Sequence, residues 1–202
     1  GFDTHLYAID AATGQEKWRF KTGSRVDSSP VVAVETLYVG SFDHNVYAID
    51  TDTGDEKWSF ETGGEILCSP AASGDSVYIS SSDGYLYALD ARTGDVGWKL
   101  ETGDTVASSS PAIAGDRLYI GSSDGAVLAV DISTGEERWR FEAGPITSSP
   151  AVSGEVVYVG SYDHNVYALD TLTGEEIWRF ETGATVSSSP AIADGVVYIG
   201  SQ

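Results

Sequence analysis

Tryptophan recurs at Trp18, Trp58, Trp98, Trp139 and Trp178, at intervals of 40, 40, 41 and 39 residues, and no tryptophan lies outside the series. Thr-Gly pairs keep the same period at 13–14, 53–54, 93–94, 134–135 and 173–174. So do prolines at Pro30, Pro70, Pro111, Pro150 and Pro190, and tyrosines at Tyr38, Tyr78, Tyr119, Tyr158 and Tyr198. Four residue types on one period exclude coincidence. A period of this length is that of a solenoid, a propeller or another tandem array.

The last copy shows what one unit contains. Val166-Tyr167-Ala168-Leu169 and Val196-Val197-Tyr198-Ile199 are apolar on both faces, as strands buried on two sides are. Ile177-Trp178-Arg179-Phe180-Glu181 alternates, which suits an outer strand with one wet face. Ser188-Ser189-Pro190-Ala191-Ile192 reads as a fourth short strand. Its proline lacks a donor and belongs at a sheet edge or a strand start. Gly-rich polar turns separate the strands, and no segment shows a helical period with caps. Units of four strands and about 40 residues predict an all-β fold, a β-propeller of four-stranded blades. The chain is expected to form one domain, 1–202, with repeats 1–40, 41–80, 81–121, 122–160 and 161–202.

The repeats carry a motif, Ala-x-Asp-x-x-Thr-Gly-x-x-x-Trp, five times over. The copies are Ala8, Asp10, Thr13, Gly14, Trp18; Ala48, Asp50, Thr53, Gly54, Trp58; Ala88, Asp90, Thr93, Gly94, Trp98; Ala129, Asp131, Thr134, Gly135, Trp139; and Ala168, Asp170, Thr173, Gly174, Trp178. The chain resembles the PQQ-like repeat β-propellers along its whole length. The resemblance implies that each Trp wedges between blades, near its own Ala and the next blade's Gly. Physical chemistry agrees: an indole buries a large apolar area and needs an acceptor for its N–H. The glycine is free to take positive φ, and the Asp can accept backbone N–H groups in the turn.

The chain starts with the third strand of a blade and stops after the second. Gly200-Ser201-Gln202 aligns with Gly40-Ser41-Phe42, and Asp3 with Asp43. The two ends thus hold complementary halves of one blade. The expectation is a closed, monomeric five-bladed ring whose closing blade is shared by both termini. The alternative is an arc of a seven- or eight-bladed propeller.

Charge narrows the partners. Asp and Glu number 31 against 11 Lys and Arg, a formal charge of −20. Nucleic acid and anionic membrane surfaces would be repelled. No apolar run is long enough to cross a bilayer as a helix, so membrane insertion is not expected. With only four lysines, the composition suits a protein adapted to high salt. Cys68 stands alone where the sister repeats have serine, so no intrachain disulfide can form.

Candidate chemistry is sparse. Quinoprotein dehydrogenases of the resembling family carry an adjacent Cys pair, calcium ligands, a catalytic Asp and long insertions, and this chain matches none of them. Gly121-Ser122-Ser123-Asp124-Gly125 fits a nucleophile elbow on paper but falls in a strand-to-strand turn. Asp50-Thr51-Asp52-Thr53-Gly54-Asp55 lacks calcium-loop spacing. No cofactor, metal site or catalytic residue is therefore expected. Ser28-Ser29, Cys68-Ser69, Ser109-Ser110, Ser148-Ser149 and Ser188-Ser189 precede the prolines, and by resemblance they line the central channel.

The repeats differ most in one turn. Phe2-Asp3-Thr4-His5, Phe42-Asp43-His44-Asn45 and Tyr162-Asp163-His164-Asn165 carry aromatics and all three histidines, while the other copies read Ser-Asp-Gly. In a closed five-membered ring these three turns are consecutive. Phe2, His5, Phe42, His44, Asn45, Tyr162, His164 and Asn165 are therefore the candidate partner-binding rim. The expected function is non-catalytic binding or scaffolding of a protein or small ligand, outside the cytoplasm. The alternatives are a fragment of a PQQ-dependent quinoprotein dehydrogenase and an engineered or shortened propeller.

Overall fold

Each 40-residue unit folds as an up-and-down antiparallel meander in the computed structural model, which describes residues 3–103 and 109–202. A two-stranded sheet comes first, β1 (His5–Ile9) and β2 (Glu16–Lys21). Four four-stranded sheets follow. They are β3 (Val31–Ala33), β4 (Thr36–Gly40), β5 (Asn45–Asp50), β6 (Glu56–Glu61); β7 (Ala71–Ser73), β8 (Ser76–Ser80), β9 (Tyr85–Asp90), β10 (Val96–Glu101); β11 (Ala112–Ala114), β12 (Arg117–Gly121), β13 (Ala126–Asp131), β14 (Glu137–Glu142); and β15 (Ala151–Ser153), β16 (Val156–Gly160), β17 (Asn165–Asp170), β18 (Glu176–Glu181). A second two-stranded sheet, β19 (Ala191–Ala193) and β20 (Val196–Tyr198), comes last.

Burial follows the pattern read from the sequence. The apolar middle strands are enclosed, β13 along its whole length, while β6 and β14 alternate, with Trp58 and Trp139 buried between exposed neighbours. The three-residue first strands of successive sheets touch one another, β3 to β7, β7 to β11, β11 to β15 and β15 to β19, and form the hub. The first strand is shorter and later than expected: it begins after the proline, and Ser188 and Ser189 stand outside it. Between the third and fourth strands the register slips by one residue beside the motif alanine, at Ala8/Ile9, Ala48/Ile49, Ala129/Val130 and Ala168/Leu169. The bulge sits where the chain turns into the Asp–Thr–Gly loop.

The core lies between sheets rather than within them. Val46, Ala48 and Trp58 of one sheet pack with Val77 and Leu89 of the next and with Ile66 of the link between them, and Tyr119, Val127 and Trp139 pack with Val159 and Tyr167 and with Ile146 of their link. A single sheet cannot bury both of its faces alone, so each repeat depends on a neighbour.

The closing blade expected from the complementary ends is not assembled. β1–β2 and β19–β20 are separate two-stranded sheets, and β18 is exposed at every residue. Each inner sheet face is covered by the next repeat, and among the described residues nothing plays that part for β18 and β20.

Candidate interaction rim

The seams between sheets set the frame on which any binding surface stands. Trp18 Nε1–H donates to Thr51 O at 2.9 Å, Trp58 to Ala91 O at 3.1 Å, Trp98 to Ile132 O at 3.0 Å and Trp139 to Thr171 O at 3.0 Å. Each acceptor follows the motif aspartate of the next repeat. Three of these carbonyls take a further bond from the periodic tyrosines: Tyr38 Oη–H to Ala91 O, Tyr78 to Ile132 O and Tyr119 to Thr171 O. The indole lies flat on the next motif glycine. A Cβ at Gly54 would sit 2.7 Å from the Trp18 ring, and one at Gly174 2.6 Å from the Trp139 ring. Those glycines also hold φ near +75°, Gly54 at 78° and Gly174 at 74°, so two reasons exclude a side chain there.

The motif aspartates are occupied within their own turns. Asp50 Oδ1 accepts from the backbone of Asp52 and Thr53, each at 3.0 Å, and Lys57 lies 3.1 Å from Oδ2. The Thr53 N–H and the Lys57 ammonium hold its carboxyl down to about 2. Asp131 is lowered further, by Ser133 and by Arg138.

A second set of inter-sheet bonds comes from residues whose role the sequence reading did not assign. Asp43 Oδ2 accepts from Gly23 N–H of the preceding repeat at 2.5 Å and from Tyr47 Oη–H at 2.8 Å. Asp83 does so with Gly63 and Tyr87, each at 2.7 Å, and Asp163 with Gly144 at 3.0 Å and Tyr167 at 2.6 Å. Burial pushes the Asp43 carboxyl up, but the bonds from Tyr47, Asn45 and Gly23 outweigh it and leave it below its ordinary value. Burial and the Asp163 carboxylate push the Tyr167 phenol up to about 12. The signal was present in the sequence: Asp3, Asp43, Asp83, Asp124 and Asp163 stay constant while their neighbours in the turn vary.

A third set circles the hub. Ser29 N–H donates to Ser69 Oγ, Ser69 to Ser110, Ser110 to Ser149 and Ser149 to Ser189, each at 2.9 Å. The serines before them turn inward: Ser28, Ser109 and Ser148 accept from the backbone N–H of Gly40, Gly121 and Gly160. Cys68 replaces serine where Ser80 replaces glycine, and the Ser80 hydroxyl donates to Cys68 Sγ at 2.9 Å. Burial raises the pKa of this thiol.

The rim residues stand on the turn that the Asp latch secures. His44 and His164 take left-handed backbone, φ 74° and 75°, where the sister turns have Gly84 and Gly125. Asn45 and Asn165 are folded back, each donating from Nδ2 to the carboxylate and the carbonyl of Asp43 or Asp163. They therefore serve the turn itself. Phe42 lies under Arg25, whose guanidinium carbon is 3.7 Å from the ring centroid, and Tyr162 is exposed. His5 Nδ1 lies 2.5 Å from Asp3 O. Phe2 lies outside the described residues. The turns at 42–45 and 162–165 belong to the first and last complete sheets. Because the ring is not closed here, His5 and the first of these turns are on one flank of the array and the second is on the other. The single continuous arc is not formed. Among the described residues no three His, Cys, Asp or Glu side chains gather as metal ligands.

Comparison with known proteins agrees with this architecture. A family profile described as outer membrane protein assembly factor BamB matches residues 3–144 and 124–202. No curated protein matches the sequence. The structure is similar to BamB from Moraxella catarrhalis, with 23% identity and a TM-score of 0.79 over 90% of this chain and 57% of that one. It is similar to the computationally designed Ika8 protein, with 23% identity and a TM-score of 0.89 over 99% of this chain and 63% of that one. It is also similar to the quinohemoprotein alcohol dehydrogenase ADHIIG from Pseudomonas putida HK5, with 20% identity and a TM-score of 0.70 over 87% of this chain and 39% of that one. The chain spans less than two thirds of the length of each of these proteins. It belongs to the PQQ-like repeat β-propellers, the family of outer membrane protein assembly factor BamB.

Proposed function

We propose that this propeller array is a non-catalytic scaffold that binds a protein partner through the turns at 42–45 and 162–165, working outside the cytoplasm in a salt-rich medium. One observation carries the reading. His44 and His164 hold a left-handed backbone that glycine would take without strain, in the same two turns that carry Phe42, stacked under Arg25, and the exposed Tyr162. Backbone strain of this kind costs on the order of 1 kcal/mol and concentrates at working surfaces. The membership in a family described by an assembly factor supports a scaffold role.

Affinity capture from a salt-adapted cell extract tests it, with Phe42→Ser/Tyr162→Ser as the rim variant and Leu172→Ser as the control. Leu172 is exposed and lies in the turn at the other end of β17. A partner retained by the wild type and the control, and lost at least tenfold by the rim variant, is the expected result. Equal retention by all three proteins removes the rim from the account.

The likeness to a quinohemoprotein dehydrogenase supports a second reading, a quinoprotein-related propeller. Adding pyrroloquinoline quinone and calcium and following dye reduction decides that point. Saturable turnover would replace the scaffold assignment.

A further inference from the structure

The bulged residue just before each motif tryptophan differs from repeat to repeat. With the residue before it, the five copies read Glu16-Lys17, Glu56-Lys57, Val96-Gly97, Glu137-Arg138 and Glu176-Ile177. In the second copy the side chain folds back into a cage of three oxygens. Lys57 Nζ–H donates to Glu35 O at 2.8 Å and to Thr36 Oγ1 at 2.9 Å, and Nζ lies 3.1 Å from Asp50 Oδ2. An ammonium has three donors, so this cage can satisfy all of them. In the fourth copy Arg138 reaches back to Asp131 in the same way.

The third repeat builds the same cage but supplies no side chain to it. Ser76 stands opposite Asp90 as Thr36 stands opposite Asp50, and Val96 opposite Leu89 as Glu56 opposite Ile49. Asp75 O takes a backbone bond from Ala91 N–H at 2.9 Å, as Glu35 O takes one from Thr51. Asp90 Oδ1 accepts from Arg92 and Thr93 N–H, each at 2.9 Å, and among the described residues no cation pairs with Oδ2. Arg92 lines an adjoining hollow with Asp75 and Asp90, and among the described residues it makes no ion pair with either. Beside Gly97 opens a hollow of about 250 Å³, lined by Asp75, Ser76 and Asp90 together with the apolar Leu89, Trp98 and Ile132. Nothing in the backbone requires glycine at this point. Gly97 does not hold left-handed backbone, and a Cβ there would meet only Ala88 O, at 3.5 Å, an ordinary contact. Glycine inside a strand weakens it and often marks a place that a ligand approaches closely.

We infer that the hollow at Gly97 is a binding site for a primary alkylammonium group, of the kind carried by a lysine side chain or by a small amine. The guest nitrogen takes the place that Lys57 Nζ holds one repeat earlier, donating to Asp75 O, Ser76 Oγ and Asp90 Oδ2. Its methylenes lie against the apolar part of the lining. The formal charge of −20 concentrates cations at the surface, and the cage selects among them, because a quaternary ammonium has no N–H to donate. The site stands at the Asp90 end of β9, whereas the turns at 42–45 and 162–165 stand at the opposite ends of β5 and β17. It is therefore independent of the rim.

The probe is n-butylammonium chloride, titrated into the whole chain and followed by the heteronuclear NMR signals of the Gly97 amide and the Trp98 indole N–H. Tetramethylammonium chloride at equal ionic strength controls for general attraction to an acidic surface. Saturable shifts centred on the third repeat are expected with the first salt and not with the second. Gly97→Lys places the chain's own ammonium in the cage, as Lys57 does, and is expected to weaken binding by about tenfold or more. Lys57→Gly opens the sister cage and is expected to add a second saturable response at Trp58. Nα-acetyl-lysine methylamide separates the two sources of the group. Binding as tight as that of butylammonium assigns the cage to lysine side chains of a protein, and a response to butylammonium alone assigns it to small amines; either upholds the ammonium site. Equal responses to both ammonium salts, no saturable response to either amine, or unchanged binding in Gly97→Lys overturns the inference.

Discussion

Ala91 O receives Trp58 Nε1–H and Tyr38 Oη–H together, so one backbone carbonyl uses both lone pairs to tie two side chains of the preceding sheet. Removing the indole leaves a cavity at the seam and costs this bond. Trp58→Ala is expected to lower stability by ~3–5 kcal/mol, the range for a buried aromatic. Trp178→Ala is expected to cost about 1 kcal/mol or less, because its ring is 40% exposed where that of Trp58 is 9%. Urea unfolding of the two variants checks the contrast. Equal losses would mean that position 178 is buried in solution and that the flank is not open. The tryptophans were legible because a rare residue on a strict period needs no structure to be seen. The shared carbonyl was not, since a backbone acceptor has no sequence signature and Thr51, Ala91, Ile132 and Thr171 look unrelated. Cys68 reads alone as a small-residue swap. Only contact shows that it changes together with Ser80, twelve residues away, whose hydroxyl donates to its sulfur.

At the scale of turns and strands, three hydrogen-bonded devices join successive repeats: the tryptophan and the serine relay at every seam, and the aspartate latch at Asp43, Asp83 and Asp163. The sequence revealed the first. The serines were read as part of the first strand, and their backbone N–H groups cross the seam instead of pairing within the sheet, which is why β19 begins only at Ala191. The latch predicts a pH response. The Asp43 carboxyl titrates below its ordinary 3.8 in the folded chain, so the bond contributes fully above that value and is lost as pH falls through the lower folded pKa. Asp43→Asn removes the titration and keeps an acceptor. Acidification also discharges other carboxylates and relieves their repulsion, so the difference between wild type and variant carries the signal. The wild type's advantage in Tm is expected to be constant at neutral pH and to shrink as pH drops below about 4. Thermal melts at steps of pH measure it. An advantage that persists undiminished to about pH 2 would mean that Asp43 does not act as a charged acceptor.

For the whole molecule, sequence alone was enough to give an all-β array of four-stranded units, because the period, the turn residues and the apolar strands agree. Closure was beyond its reach. Complementary half-blades say that the two ends fit together, but the angle between successive sheets decides whether they meet in one chain, and that angle comes from packing around Trp and Tyr at every seam. Charge acts at this scale too. Among the described residues several cations sit in local pairs, such as Arg19–Glu16, Arg140–Glu137 and Arg179–Glu176, partly or largely exposed and worth little individually. The remaining acidic groups repel one another across the surface, and that repulsion is shortened from a range of about 10 Å at 0.1 M salt to about 3 Å at 1 M. Thermal melts at one low protein concentration across a range of salt read this effect. The Tm is expected to rise by ~4–8 °C between dilute and molar sodium chloride, equivalent to ~2 kcal/mol for a chain of this size. Sucrose at matched osmolality separates screening from general exclusion of solute, and is expected to give the smaller gain. A melting temperature indifferent to salt, or an equal gain in sucrose, would show that the acidic surface is not what limits the stability of the fold.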